Sequence, residues 1–466
     1  MVQPVLAYQL FERREATSWR PWGGLHTEED VAREVGAIDK ELAELAKKAG
    51  FPIKLLPLAK ATSVDSAKAI PMEGVDVSLL YGATSGGEVL EALISPERYN
   101  LLFVRHRSGP VYLWYEIAHP RLLRKTVDEY GQPGLSPEDV VVDDTGDLLW
   151  RLRALYALKN TLGCNMVVIG GASGWGEGGR EAPKIAAEKW KMNLIEVSYP
   201  DLGKRIQAAR ADSARMEAAE KAAAEYLAIP GTELDTQRDF VVRAFMLSRV
   251  FEDLMQEAGA GAMTINNCMS TIMPMAETTA CLPLSVINDS GQLAFCESDF
   301  VVIPSGVLLH HVSGLPVFLQ DPTYPHHGMV TLAHCTAPRK MDGRTLEKTR
   351  LMTHFESDYG AAPKVDMRLG ETVTVIDPDF GARRWIGFRG KVLANPLHDI
   401  CRSQVDVSVE GDCDLLAREM VGFHWMLSYG DHLKELGYAL GKVGIEWLNL
   451  SSPSARAALA RGDSRG

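Results

Sequence analysis

The chain has 466 residues, of which 46% are hydrophobic and 24% charged, a composition typical of soluble globular proteins. This length exceeds what one ordinary core can hold, so it predicts two to four domains. The formal charge of −12 disfavours partners that are themselves anionic. We therefore expect binding to neither nucleic acid nor an anionic membrane surface.

The N-terminal sequence and the cysteines both favour a cytoplasmic protein. The first residues, MVQPVLAYQLFERRE, reach charged side chains at Glu12, Arg13 and Arg14 before a signal-peptide apolar region could form. No apolar stretch approaches the roughly 18–20 residues that cross a bilayer. The 7 cysteines are odd in number and follow no disulfide spacing, so we expect reduced thiols.

The first 160 residues predict an α/β domain, because strand-like and helix-like segments alternate. The helix is expected at Glu28–Gly50, with Thr27 as its N-cap, and a second helix at Thr145–Gly163. The expected strands are short apolar runs at Pro4–Phe11, Ile53–Leu58, Val75–Tyr81 and Asn100–Arg105.

Residues 161–345 repeat this alternation and predict a second doubly wound domain. The runs NMVVIGG and NLIEVSY are expected to be strands, and Lys204–Leu227 and Asp239–Ala258 are expected to be helices. Residues 346–466 differ, because ETVTVIDPDF, WIGFRGKVLANP and QVDVSVEGD alternate apolar and polar residues between turns. They predict a C-terminal antiparallel β domain, a small barrel or sandwich. The tail Ser451–Gly466 is expected to fray.

Four apolar segments between residues 263 and 335 end in side chains that can do chemistry. They are MTINNC, LAFCES, PVFLQD and MVTLAHC. If these are parallel strands, their carboxyl ends share one edge of a sheet, where ligands bind. Two carboxylates and an imidazole at such an edge predict a divalent metal site, and hence an enzyme. The residues expected there are Cys268, Glu297, Asp321, His334 and Cys335.

The glycine-rich segment Gly170–Gly179 has the setting of a dinucleotide fingerprint but not its spacing. A loop over a cleft is the favoured interpretation, and no nucleotide cofactor is expected. His326 and His327 are interpreted as exposed turn residues, and Cys296 as a small buried hydrophobe. His334 is equally compatible with a core or a site position, whereas composition alone makes His424 a core histidine.

The runs INDSGQLAFCESDFVV and GLPVFLQDPTYP resemble the L-fucose and L-arabinose isomerases and the broader fucose isomerase-like group. In that family a strand-end Glu precedes an Asp by about two dozen residues, as Glu297 precedes Asp321. The segment GFHWMLSYGDHLKELGYALGKVGIEWL is similar to the family's closing segment, which carries a third metal ligand, here His424. The segment TLAHCTAP resembles the family's histidine strand, which implies that His334 lies near substrate.

This resemblance implies a three-domain fold in which Glu297, Asp321 and His424 bind Mn²⁺. It also implies a homotrimer or homohexamer in which a neighbour's N-terminal domain closes the site. The implied reaction is aldose–ketose isomerisation of a free sugar through a cis-enediol, with Glu297 and Asp321 as ligands and acid/base pair. We place Asn267, Cys268, His334 and Cys335 at the substrate.

Two features depart from that family and keep alternatives open. Phe423 precedes His424 where the isomerases have a polar residue, and the thiols of Cys268 and Cys335 favour Zn²⁺ over Mn²⁺. A metal-dependent glycoside hydrolase on the same scaffold is therefore the alternative function. A non-catalytic sugar-binding protein is a third hypothesis, but it does not explain the Glu, Asp and His set.

Overall fold

The computed structural model describes residues 1–124 and 131–455, so the predicted frayed tail lies, after Ala455, outside the described residues. The chain divides into two compact units, Met1–Leu155 and Tyr156–Gly466. Within the described ranges, no helix is both long enough and apolar enough to cross a bilayer.

The first unit is built on a five-stranded parallel sheet in the order β2-β1-β3-β4-β5. This is a doubly wound order, with its topological switch between β1 and β3. The strands are β1 (Val2–Ala7), β2 (Ala59–Ala61), β3 (Val77–Gly82), β4 (Tyr99–Val104) and β5 (Val140–Val142). The helices are α1 (Glu28–Lys48), α2 (Val64–Lys68), α3 (Gly87–Leu93), α4 (Leu113–Ala118) and α5 (Thr145–Thr161), the last of which continues into the second unit.

The N-cap of α1 is confirmed, because the Thr27 side chain accepts a hydrogen bond from Asp30 N and the Asp30 side chain reaches back. The strand expected at Ile53–Leu58 is wrong. Only Leu55 bridges to Val2 there, and Pro52 and Pro57, which lack backbone N–H donors, interrupt any longer ladder. The edge strand begins instead at Ala59.

The second unit contains a four-stranded parallel sheet and a β barrel. Its strands are β6 (Asn165–Ile169), β7 (Asn193–Val197), β8 (Thr232–Asp235), β9 (Ala262–Ile265), β10 (Leu293–Phe295), β11 (Phe318–Pro322), β12 (Met329–His334), β13 (Thr349–His354), β14 (Tyr359–Val365), β15 (Thr372–Pro378), β16 (Arg384–Ala394), β17 (Ser403–Ser408), β18 (Trp425–Tyr429) and β19 (Glu446–Asn449). Its helices are α6 (Ala182–Glu188), α7 (Tyr199–Ala211), α8 (Ser213–Leu227), α9 (Arg238–Glu257), α10 (Met273–Ala276), α11 (Cys281–Asp289), α12 (Ile303–Ser313), α13 (Cys413–Glu419) and α14 (Leu433–Lys442).

The parallel sheet has the order β10-β9-β6-β7. Its topological switch point lies between β6 and β9. The antiparallel strands β15-β18-β11-β12-β17-β16 form a ring, closed by pairing of β16 with β15, and β19 joins β16 in parallel. Strands β14, β13 and β8 form a third, small sheet. The predicted α/β fold with parallel sheets and a separate antiparallel β region is confirmed.

Two local expectations in this unit are corrected. The single helix expected at Lys204–Leu227 is two helices, because Asp212 leaves the helical conformation and its side chain caps α8 at Ala214 N and Arg215 N. The expected parallel strands PVFLQD and MVTLAHC are β11 and β12, which pair antiparallel within the barrel. Asp321 and His334 therefore belong to the barrel, whereas Glu297 follows a strand of the parallel sheet, so the three do not lie at one sheet edge.

Candidate metal centre

Four side chains converge from four different segments of the second unit. Glu297 follows β10, Asp321 lies on β11, His334 ends β12, and His424 immediately precedes β18. The register of the barrel explains the convergence of the last three. Asp321 pairs with Ala333, beside His334, while Gln320 pairs with Trp425, beside His424.

His424 lies at the centre of this group, and its side chain is fully buried. Its Nε2 is 3.2 Å from Asp321 Oδ1 and 3.4 Å from Glu297 Oε2. Its Nδ1 is 2.7 Å from Asp299 Oδ2. One imidazole thus faces three carboxylates, with Asp299 fixing the ring from the side opposite the other two.

His334 is a second imidazole at the same place. Its Nε2 is 3.5 Å from Glu297 Oε1, and its Nδ1 is 3.3 Å from Thr336 Oγ1. The side chain is only 4% exposed, whereas that of Glu297 is 46% exposed and that of Asp321 is 34% exposed. The carboxylates are therefore open to solvent or ligand, while the imidazoles form the buried floor.

Both Nε2 atoms are buried, and neither makes a hydrogen bond of good geometry within the described residues, although carboxylate oxygens lie 3.2–3.5 Å away. Such atoms are costly unless something else binds them. The candidate ligand atoms of Asp321, His334 and His424 lie within 4.8 Å of one another. Histidine ligands of metals characteristically use the second ring nitrogen for an orienting hydrogen bond, as both rings do here. Asp321, His334 and His424 offer donors of the kind that bind divalent ions, and Glu297 reaches the group through its contacts with both imidazoles.

The charges of these groups are strongly coupled. Burial opposes the charged form of His424, but the carboxylates of Asp299, Asp321 and Glu297 outweigh it and raise its pKa to about 11. Burial also opposes the charged form of Glu297, yet the two imidazoles hold the pKa of this carboxyl well below its usual range. Without a metal ion, the protonated His424 imidazole supplies the positive charge that balances the surrounding carboxylates.

The backbone that presents Glu297 is strained. Glu297 and Ser298 have φ of 66° and 47°, the left-handed region that residues other than glycine seldom adopt. Ser173 holds this turn from the glycine-rich segment, since Ser173 N donates to Ser298 O and Phe300 N donates to Ser173 O. Strain held in place by a neighbouring loop is characteristic of functional sites.

A cavity of about 460 Å³ opens at this turn and is large enough for a small ligand. Three segments that follow β6, β9 and β10 line it, so it lies at the carboxyl ends of the parallel strands, beside the switch point. Part of its lining is a π-helical turn, Cys268–Ile272, a backbone irregularity often found at functional sites. The residues at its walls include Ser173, Trp175, Asn266, Asn267, Cys268, Ser270, Glu297, His334, Cys335, His354 and Glu356.

The structure brings most of the sequence-predicted site residues to this cavity. Asn267, Cys268, His334 and Cys335 line it beside Glu297. Asp321 and His424 join them through the contacts at His424 Nε2. His326 and His327 are exposed in the loop between β11 and β12, and Cys296 is buried in the core of the parallel sheet.

Sequence reasoning missed the role of Asp299. This carboxylate is buried, binds His424 Nδ1, and accepts hydrogen bonds from Trp175 N and Val301 N. It therefore links the glycine-rich segment to the imidazole. The signal was present in the run Glu-Ser-Asp, because the second acidic residue lies two positions after the strand-end glutamate.

Asp299→Asn is expected to weaken binding of Mn²⁺ about 10- to 100-fold, the usual effect of removing a carboxylate that orients a ligand histidine. The amide can still accept from Trp175 N through one oxygen, but its NH₂ group presents a donor to His424 Nδ1. Isothermal titration of metal-free protein with Mn²⁺ measures the change. Unaltered affinity would mean that His424 does not need this partner to bind metal.

Close packing of the backbone at Gly422 fixes the path of the chain just before His424. Its N–H donates to Asp377 Oδ1 at 2.6 Å, and a Cβ at this position would meet Asp377 Oδ1 and Pro378 O at 2.6 Å. Val421 N donates to the second oxygen of the same carboxylate. Only glycine therefore fits at position 422, two residues before His424.

The comparisons with known proteins give no independent assignment. No protein-family model matches the chain, and no curated protein matches it significantly.

Proposed function

We propose that this protein is a metal-dependent aldose–ketose isomerase that acts on a free sugar of the L-fucose or arabinose type through a cis-enediol. The observation that carries the proposal is the convergence of the buried Nε2 atoms of His334 and His424 with the partly exposed carboxylates of Glu297 and Asp321, beside a sugar-sized cavity that Glu297 and His334 line. The motif resemblance to the fucose isomerase-like group supports the same function.

Glu297, Asp321 and His424 are the proposed metal ligands, and His334 stands close enough to complete the set. Mn²⁺ is the proposed ion, with Zn²⁺ as the alternative, because mixed oxygen and imidazole donors accept both. When bound, such an ion supplies Lewis-acid polarisation of the oxygens on the two sugar carbons that exchange oxidation state.

The chain's own contribution to the chemistry is proton transfer. Isomerisation removes the proton from C2 of the open-chain sugar and returns a proton to C1, while a hydroxyl proton moves between the two oxygens. Glu297 is suited to the carbon-bound proton, because it is held ionised and half of its side chain faces the cavity. Asp321, on the other side of His424 Nε2, is suited to the exchange between the oxygens.

Polar groups around the cavity would orient the sugar. Asn266 and Asn267 present amide groups, and Ser173 and Ser270 present hydroxyls, all around the same cavity. Amides and hydroxyls both donate and accept, as sugar hydroxyls require. Asn267 is itself in the left-handed conformation, with φ of 42°, at the start of the π-helical turn.

Trp175 offers an apolar surface for the sugar ring. It lies on the glycine-rich segment, lines the cavity, and stacks on Phe423 with ring centroids 3.6 Å apart. Trp175→Ala is expected to raise KM for the sugar about tenfold, the loss of a modest aromatic contact. Trp175→Phe is the matched control and should retain most of the affinity. Equal KM values for all three proteins in steady-state assays would remove Trp175 from the substrate site.

The placement of the two carboxylates favours isomerisation over glycoside hydrolysis. Glu297 and Asp321 both contact one nitrogen, His424 Nε2. Glycosidases instead hold two carboxyl groups on opposite sides of the scissile bond, with the sugar between them. Convergence on a single point is what two ligands of one ion require.

A paired assay tests the proposal. Metal-stripped protein is reloaded with Mn²⁺ or Zn²⁺ and offered L-fucose, D-arabinose and L-arabinose in one arm, and aryl α- and β-glycosides in the other. We expect ketose formation that depends on Mn²⁺ and no release of phenol. Phenol release without ketose would contradict the isomerase and indicate the hydrolase on the same scaffold.

The resemblance further implies three domains, at residues 1–160, 161–345 and 346–466, with β11 and β12 of the middle segment contributing to the barrel. It also implies assembly into a homotrimer or homohexamer in the cytoplasm. In such an assembly a neighbouring N-terminal domain would cover the sugar. Light scattering of the purified protein measures the mass of the assembly directly.

A further inference from the structure

A second group of potential ligands lies in the same cavity, apart from the carboxylates. Cys281 begins α11, Cys335 follows β12, and His354 ends β13. All three are buried, and their ligand atoms lie within 4.8 Å of one another.

We propose that Cys281, Cys335 and His354 form a distinct zinc site with one open coordination position toward the cavity. The proposal does not depend on the isomerase assignment. A Zn²⁺ ion with thiolate bonds of about 2.3 Å and an imidazole bond of about 2.0 Å needs ligand atoms roughly 4 Å apart or less. The ligand atoms lie within 4.8 Å of one another, so side-chain movements of about 1 Å or less bring them to this spacing.

The chemistry of these ligands differs from that of the carboxylate centre. Thiolates select soft or borderline ions such as Zn²⁺, whereas carboxylates suit Mn²⁺. When Zn²⁺ binds, each cysteine loses its S–H proton to solvent, and two thiolates exactly balance the charge of the ion. The resulting complex with a neutral imidazole carries no net charge, which suits a buried position.

The imidazole is already oriented and the site is accessible. His354 Nδ1 is 3.2 Å from Ser357 Oγ, an orienting contact that leaves Nε2 as the ligand. Cys281, Cys335 and His354 all border the cavity, so a fourth position can face a water or a substrate oxygen. Two cysteines and one histidine with an open position are the ligand set of a catalytic zinc site.

All seven cysteines are free thiols, which supplies matched controls. Cys413 begins α13 in the barrel unit and is not among the residues lining the cavity. Cys401 lines the cavity but lies outside the group of three ligands. Replacing Cys413 tests for nonspecific binding of metal by thiols. Replacing Cys401 tests whether a third thiol, in addition to Cys281 and Cys335, is a ligand of the metal.

The experiment titrates full-length, metal-free protein with Co²⁺ under a phosphine reductant and follows the thiolate-to-cobalt charge-transfer absorption. One equivalent of Co²⁺ is expected to give this band, and equimolar Zn²⁺ is expected to remove it. Cys281→Ser and His354→Gln should each weaken binding at least about 100-fold, while Cys413→Ser and Cys401→Ser should retain it. Circular dichroism of the metal-free variants establishes that they are folded.

The band must also survive in Glu297→Gln, which removes a ligand of the carboxylate centre but none of the zinc site. This separates the two assignments, since failure of the isomerase assay leaves the cobalt band unaffected. Absence of the band in the unaltered protein, or its persistence in both Cys281→Ser and His354→Gln, would overturn the zinc site. Loss in Cys401→Ser would overturn the three-ligand assignment.

Discussion

Glu297→Gln is expected to lower kcat/KM for the sugar by about 10³-fold or more, and Asp321→Asn by a similar factor. Each amide keeps the shape of its carboxyl group but neither accepts a proton as a base nor balances the charge of a cation. General acid–base catalysis alone accounts for about 10²- to 10⁴-fold. Both variants should also retain less metal after dialysis, as measured by elemental analysis.

A second acidic residue in the cavity provides the control. Glu356 lines the same cavity but forms no ion pair with His334 or His424 within the described chain. Glu356→Gln should therefore retain metal and most of the activity. Full turnover in Glu297→Gln or Asp321→Asn, with an unchanged far-ultraviolet spectrum, would remove these carboxylates from the reaction.

His424→Gln is expected to destabilise the metal-free protein by about 3–5 kcal/mol, because it leaves the buried Asp299 carboxylate without its charged partner. The raised pKa of His424 fixes the sign of the pH dependence. Its contribution is fully present below the ordinary pKa of about 6.5 and is lost as pH rises toward about 11. The difference in free energy of unfolding between the two proteins should therefore be larger at pH 6 than at pH 10.

Urea unfolding at both pH values, in the presence of a chelator, measures this difference. His432→Gln is a matched control, because His432 belongs to the same unit, its Nε2 contacts the backbone oxygen of Tyr429, and it is not a member of the candidate ligand groups. A pH-independent destabilisation of His424→Gln would show that His424 is neutral in the metal-free protein.

The predictions that succeeded depend on local sequence. Thr27 followed by Asp30 fixes the start of α1, and the alternation of short apolar runs with helices predicts parallel sheets. Glu297 and the Asn267–Cys268 pair line one cavity because they follow strands of one parallel sheet, where the position of a strand end determines the position of the side chain; their functional roles stay predictions.

The remainder of the site depends on the register of the barrel, which short apolar runs do not encode. PVFLQD and MVTLAHC have the composition of buried parallel strands, yet they pair antiparallel, and Asp321 meets His424 only because Gln320 lies opposite Trp425. The grouping of Cys281, Cys335 and His354 could likewise not be predicted from the sequence, because three separate elements contribute one residue each. The hydrogen bond of Asp299 to His424 spans 125 residues.

The most direct test of the metal centre is anomalous diffraction from crystals of the protein loaded with Mn²⁺. We expect a manganese peak within bonding distance of Glu297, Asp321 and His424 Nε2, with His334 Nε2 adjacent and no peak in crystals of Asp321→Asn. A peak elsewhere, or fully ordered crystals in which His424 remains bound only to the three carboxylates under saturating Mn²⁺, would contradict the proposed centre.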